Sequence, residues 1–202
     1  MARNVVVTGG FGALGRVVAE TFARQGDKVV RVDFAAQAPE GNAGGLDIPG
    51  VDLTDAAACA QLVAQIGEKL GGIDVLVNVA GGFTWETLAD GSLDSWQKMF
   101  TMNVLTAATI TKAALESLKA SGAGRIVNIG AGAAIKADMG MGAYASSKAG
   151  VHRLTEALAV ELAGTGVTVN AVLPSIIDTP TNRADMPDAD YSTWVHPQAI
   201  AD

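Results

Sequence analysis

Two side chains of this sequence are of types that move protons, and their spacing lets them act together. In Tyr144-Ala145-Ser146-Ser147-Lys148 a phenol and an ammonium stand at positions i and i+4. On a helix those positions share one face. A phenol with a pKa of about 10 is a poor acid–base at neutral pH, and a nearby cation favours its ionised form. The same spacing also arises by chance on solvated helices, so the pair needs something to act on. A second cluster supplies it: Thr8-Gly9-Gly10-Phe11-Gly12-Ala13-Leu14-Gly15. It follows a strand-like run and precedes an amphipathic period. Glycines at such a corner let the backbone approach a pyrophosphate, with the free N–H groups and positive end of the helix behind it. Asp33 ends the next strand-like run. A carboxylate there accepts hydrogen bonds from an adenosine ribose and repels a 2′-phosphate. Neither Gly12 nor Phe34 offers a cation to hold that phosphate. These residues predict NAD(H) in preference to NADP(H); the alternative is that Asp33 only caps a turn.

The elements that must position these groups alternate. Apolar, β-branched runs at Asn4–Thr8, Lys28–Asp33, Asp74–Asn78, Arg125–Ile129 and Val167–Leu173 predict strands buried on both faces. Leu46–Leu53 is a weaker strand, interrupted by Ile48-Pro49-Gly50, and a proline demotes it to an edge. Helical periods cover Leu14–Gln25, Asp55–Leu70 with Thr54 as the cap, Leu93–Leu118 and Tyr144–Leu162. The pattern predicts an α/β, Rossmann-type doubly wound parallel sheet with helices on both faces, in the order 3-2-1-4-5-6. One dinucleotide-binding domain over residues 1–202 is expected, with 178–202 a mobile substrate loop or tail.

Composition narrows the class. With 49% apolar residues the chain can build a core. Its formal net charge of -7 shows no basic stripe for nucleic acid. No uncharged apolar run reaches membrane-spanning length, and Arg3-Asn4 leads straight into a strand without a signal-like segment. The expected location is cytoplasmic. Cys59 is the single cysteine and reads as a packing thiol. His152 and His196 lack ligand spacing and read as structural or surface residues, so no metal site is expected.

The glycine corner, Asn78-Val79-Ala80-Gly81 after a strand, and Tyr144-x-x-x-Lys148, in that order, resemble the short-chain dehydrogenase/reductase family over nearly the whole chain. The resemblance implies a nicotinamide-dependent oxidoreductase. Tyr144 would exchange the proton. Lys148 would hold the nicotinamide ribose and lower the tyrosine pKa, and Asn103 would anchor a relay water. Thr8, Gly9, Gly12, Leu14 and Gly15 would form the cofactor corner with Asp33. Asp52 would contact the adenine. Asn78, Ala80 and Gly81 would shape the loop beside the cofactor, and Pro174 and Thr179 would border the nicotinamide. A homodimer or homotetramer is implied, with the small residues Ala145, Ala149, Gly150 and Ala157 admitting another helix.

Three departures from the family pattern stand out. Ala13 takes the place of the middle glycine. Ala131 takes the place of the serine that normally bonds a substrate carbonyl, a loss that typically costs about a hundred- to a thousandfold in rate. The chain ends soon after the sixth strand, so the C-terminal strand is expected to be missing. Dihydropteridine reductases also lack the serine, and Gly140-Met141-Gly142-Ala143-Tyr144 and Asp178-Thr179-Pro180-Thr181-Asn182-Arg183 resemble theirs. A conjugated dihydropterin has no ketone oxygen to cradle. The substrate is thus expected to be a small conjugated heterocycle or a carbonyl, lined by Phe83, Trp85, Ala131 and Met141. Phe83 and Trp85 are equally placed to stack on it or to pack on neighbouring helices. The alternatives are a ketone or 3-oxoacyl reductase and a cofactor-binding protein with decayed catalysis.

Overall fold

Strands that carry apolar side chains on both faces bury them both in the middle layer of a three-layer fold. That is where they lie in the computed structural model, which describes residues 2–42 and 45–202. The strands are β1 (Asn4–Thr8), β2 (Lys28–Val32), β3 (Leu46–Ile48), β4 (Val75–Asn78), β5 (Arg125–Ile129) and β6 (Thr168–Val172). They form one parallel sheet in the order β3-β2-β1-β4-β5-β6. The helices are α1 (Ala13–Arg24), α2 (Ala56–Leu70), α3 (Leu93–Phe100), α4 (Thr106–Ala120), α5 (Gly142–Glu161), α6 (Pro180–Asp185) and α7 (Pro197–Ala201).

The two-residue period of the strands decides which helix each side chain meets. Val6, Val30, Leu76 and Ile126 pack with Leu62 and Ile66 of α2, Ile110 and Leu118 of α4, and Leu158 of α5. Val5, Val7, Val29, Val75 and Val77 face the other way, onto Leu14 and Val18 of α1. The winding reverses between β1 and β4, opening a crevice at the strands' C-terminal ends. β3 stops at Ile48, before Pro49, and lies at the edge as expected.

Several boundaries differ from the sequence reading. The cap of α2 is Asp55, not Thr54. The Asp55 carboxylate accepts the N–H of Ala57 at 2.7 Å, whereas the Thr54 hydroxyl donates to Asp52 at 2.6 Å. The helix expected over Leu93–Leu118 is interrupted at Thr101–Leu105 by a π-helical turn, an extra residue per turn that leaves the apolar pattern nearly unchanged. The tail after Asp178 is folded. Thr179 caps α6, Ile177 bridges to Val195, and Gln198 of α7 donates to Thr21 of α1 at 3.0 Å. Pro197 is buried. Prolines at the first helical turn suit such short helices.

Cys59 is fully buried and burial pushes its thiol up to about 11, so it is an inert packing group. Among the described residues no helix is long and apolar enough to cross a membrane. Nor is any group of three or more His, Cys, Asp and Glu placed to hold a metal ion.

Candidate active site

The glycines of the β1–α1 corner are glycines for two different reasons. Gly9 has φ +61°, and a Cβ there would stand 2.9 Å from the backbone of Ala80. A Cβ on Gly15 would run into the Gly9 carbonyl, and one on Gly10 would strike Arg31, whose guanidinium pairs with Asp47 at 2.7 Å. Those three let the chain fold on itself. At Gly12 a Cβ would meet only the Gly9 oxygen, at an ordinary 3.4 Å. Gly12 is exposed and heads α1, which has no side-chain cap and no acid in its first turn. It leaves an open cradle over unpaired N–H groups, the donor set that suits a phosphate. This fits a dinucleotide.

The other residues assigned to that end play mixed parts. Leu14 puts its side chain in the core, so only its backbone can serve a ligand. The Thr8 hydroxyl accepts the N–H groups of Val79 and Ala80 at 3.1 and 3.2 Å and donates to Val77 at 3.5 Å. It stitches β1 to the loop after β4. Asp33 does cap the turn, accepting from Phe11 at 3.0 Å and Ala35 at 3.1 Å. One bond per oxygen leaves lone pairs for ribose hydroxyls as well. Asp52 is exposed, and hydrogen bonds from the Thr54 hydroxyl and backbone hold its carboxyl below the usual range.

Across the crevice, Tyr144 and Lys148 occupy successive turns of α5. Lys148 is 6% exposed and its Nζ donates to the Ile129 carbonyl at 2.7 Å. Burial pulls its pKa down to about 8. Burial likewise raises the Tyr144 phenol above its usual value. This removal from water works against the favour that a nearby ammonium lends the phenolate. A Cβ on Gly81 would lie 2.5 Å from Asn103 Oδ1 and 3.6 Å from Lys148 Nζ, so these three residues converge.

Asn103 lies in the π-helical turn, buried. Its Oδ1 accepts the Gly82 N–H at 2.8 Å, and its Nδ2 donates to the Gly82 carbonyl at 3.1 Å and to Ser147 Oγ at 2.9 Å. Both amide hydrogens are thus committed. The side chain clamps the Gly82 backbone, leaving at most one Oδ1 lone pair for the expected relay water. Ser147 passes the contact on, donating to the Tyr144 carbonyl at 2.7 Å.

The Ala131 methyl is buried, and its N–H donates to His152 Nε2 at 3.4 Å. His152, a structural histidine in this contact, follows Lys148 by one turn on the same face of α5. Burial lowers its pKa, followed by the charges of Arg153 and Lys148. The Pro174 carbonyl accepts from Gly132 at 2.9 Å, joining the ends of β5 and β6. Thr179 accepts from Asn182 at 3.2 Å. Phe83 meets the Tyr144 ring edge-on, centroids 4.9 Å apart. Trp85 lies against Gly140, where a Cβ would overlap it. Met141 starts α5, its carbonyl accepting from Ala145 at 2.7 Å.

Asn78 does not reach the cofactor loop with its side chain. Thr155 donates to Val151 and so must accept from Asn128 Nδ2, at 2.8 Å. Asn128 Oδ1 then accepts from Asn78 Nδ2 at 2.9 Å, and Asn78 donates also to Thr111 at 3.1 Å. This buried chain ties α4 to α5 through the sheet. It leaves Asn78 Oδ1 without a partner among the described residues.

The chain is similar to known proteins in sequence and in fold. Residues 3–190 match the family described as short chain dehydrogenase. The chain is 30% identical over 197 residues to the D-beta-hydroxybutyrate dehydrogenase of Rhizobium meliloti, covering 93% of this chain and 76% of that protein. It is 34% identical over 188 residues to the acetoacetyl-CoA reductase of Allochromatium vinosum, covering 89% and 76%. The ligand-free aldohexose dehydrogenase of Thermoplasma acidophilum superposes with a TM-score of 0.89 at 27% identity, over 99% of this chain and 84% of that one.

Proposed function

The chain belongs to the short chain dehydrogenase family, and from that premise we propose that it is an NAD(H)-dependent oxidoreductase in which Tyr144 exchanges a proton with the substrate. The observation that carries this reading is the convergence of Asn103 and Lys148 on Gly81, one helical turn from Tyr144. The nicotinamide, when bound, supplies or takes up hydride. In the reducing direction the Tyr144 hydroxyl gives its proton to the substrate atom that becomes O–H or N–H, and the phenolate left behind is stabilised by the Lys148 ammonium. Lys148 uses one N–H on Ile129 and keeps two for that phenolate and a ribose hydroxyl. Gly12 and the start of α1 hold the pyrophosphate. Asp33 favours NAD(H) by repelling a 2′-phosphate.

Ala131 supports a substrate that needs no serine hydroxyl, a small conjugated ring of the dihydropteridine kind. The names of the two enzymes above support a second reading, a ketone or 3-oxoacyl reductase. NADH oxidation with quinonoid dihydropterin and with acetoacetyl and ketone substrates decides between them. Tyr144→Phe is expected to lower kcat by about a hundredfold or more, and NADPH to be the poorer cofactor. Equal rates in Tyr144→Phe would remove the tyrosine from the mechanism. Tight NADH binding without turnover on any of these substrates would mark a binding protein with decayed catalysis.

A further inference from the structure

Tyr144 has an aromatic neighbour whose own position is fixed from both sides. The Gly82 peptide, which leads into Phe83, is held by Asn103 through both its N–H and its C=O. Met102 packs against Gly82, where a Cβ would stand 2.6 Å from its methyl carbon. Beyond Phe83, the Glu86 N–H donates to the Gly140 carbonyl at 2.9 Å, and Trp85 lies on Gly140, whose φ of +77° and lack of a Cβ admit the indole. Between these anchors Phe83 stands 51% exposed. Its ring is edge-on to Tyr144 at 80° between planes, an arrangement worth about 0.5–1.5 kcal/mol beyond simple burial in measured pairs.

We propose that Phe83 is a positioning residue for Tyr144: it fixes the plane of the phenol ring and keeps water from one side of it, so that the phenol holds its proton until substrate is in place. The proposal rests on the assignment of Tyr144 as the proton donor. Its physical core is that a phenolate needs water more than a phenol does, so a side chain that excludes water favours the protonated form. Burial raises the Tyr144 phenol above its usual value. The Lys148 ammonium, one turn away on α5, acts in the opposite sense by favouring the phenolate; the other charged groups on the neighbouring elements are Glu86 on the loop after β4, Asp94 and Lys98 on α3, and Lys136 and Asp138 before α5.

The chain has two tyrosines, and Tyr191 lies in the tail, hydrogen-bonded to Pro187. In a Tyr191→Phe background an ultraviolet titration therefore follows Tyr144 alone, with no substrate or turnover. Phe83→Ala is expected to move the phenolate midpoint to lower pH by about one pH unit, a tenfold weaker hold on the proton. Phe83→Leu should move it less in the same direction, and Phe83→Trp should leave it in place. Circular dichroism across the titration range checks that each variant is folded. If Phe83→Ala does not fold, the Leu and Trp variants carry the comparison.

Kinetics supply the second reading. Reduction needs a protonated Tyr144, so kcat holds at low pH and falls as pH rises through the phenol pKa. That fall should shift to lower pH in Phe83→Ala, in step with the titration and with little change in KM. Midpoints equal to the parent's in all folded variants would overturn the proposal. So would a raised KM with an unmoved midpoint, which would make Phe83 a substrate contact only. A shifted midpoint in an enzyme inactive on every substrate would sustain the Phe83 contact while defeating the functional reading.

Discussion

At the scale of single residues, the corner Gly9–Gly15 separates side-chain absence that serves the fold from absence that serves a ligand. A Cβ on Gly15 would run into the Gly9 carbonyl, whereas one on Gly12 would meet only the Gly9 oxygen at 3.4 Å, and the Gly12 φ of -73° suits any residue. Gly12→Ala should leave urea unfolding within about 0.5 kcal/mol of the parent and weaken NADH by about tenfold, or 1.4 kcal/mol. Gly15→Ala should lose about 1–3 kcal/mol of stability, because a methyl group must displace the Gly9 carbonyl. Unfolding curves and NADH fluorescence titrations measure both. An unchanged NADH affinity in Gly12→Ala would remove the corner from the cofactor site. Tyr144, Lys148, Asn103 and Gly81 were legible as a group from their motifs. That Asn103 holds the Gly82 peptide, and that the Thr8 hydroxyl accepts from Val79 and Ala80, was not, because hydrogen-bond partners far apart in sequence carry no local signature.

At the scale of elements, five strands match the sequence reading to within a residue at each end, since runs with apolar side chains on both faces have one stable home, whereas β3 ends at Ile48 and not at Leu53. Helix ends were read less well. The α2 cap turns on whether Thr54 or Asp55 reaches the first N–H groups, and both are good capping types. With Asp55 bonded to Ala57 and Ala58, Asp55→Ala should cost about 1 kcal/mol. Thr54→Ala should fall within about 0.5 kcal/mol of the parent. Equal losses in chemical denaturation would reassign the cap. The π-helical turn at Thr101–Leu105 brings Asn103 to Gly82. A single extra residue in a turn is a backbone event, and the apolar period passes through it with little sign.

At the scale of the whole molecule, α3 leaves apolar side chains in the open. Leu93, Trp96 and Phe100 recur at helical spacing on one face and are 75%, 37% and 47% exposed. The small-residue face of α5 is partly taken up within the chain: Gly150 lies against Val104 and Phe100, where a Cβ would stand 3.0 Å from the valine. A second copy covering the α3 face suits the expected homodimer. Sedimentation velocity should find a species of two chains, and Leu93→Lys should shift it toward one chain without loss of helix content. A parent that sediments as a single chain at all accessible concentrations would reject this.

The sequence alone determined the alternation of strands and helices, the sheet order, the family resemblance and the placing of Tyr144 and Lys148 one turn apart on one helix. All of these rest on local patterns: apolar period, glycine at a corner, two side chains one turn apart. Tertiary structure decided what surrounds them. It set Lys148 on the Ile129 carbonyl, His152 on the Ala131 N–H, Phe83 on the ring of Tyr144 and α7 on α1. It also decided how far the Tyr144 phenol is removed from water, which spacing alone does not show. The physical reason is common to all of them. Removal from water and the use of each donor and acceptor depend on every group within a few ångströms, and those groups come from distant parts of the chain.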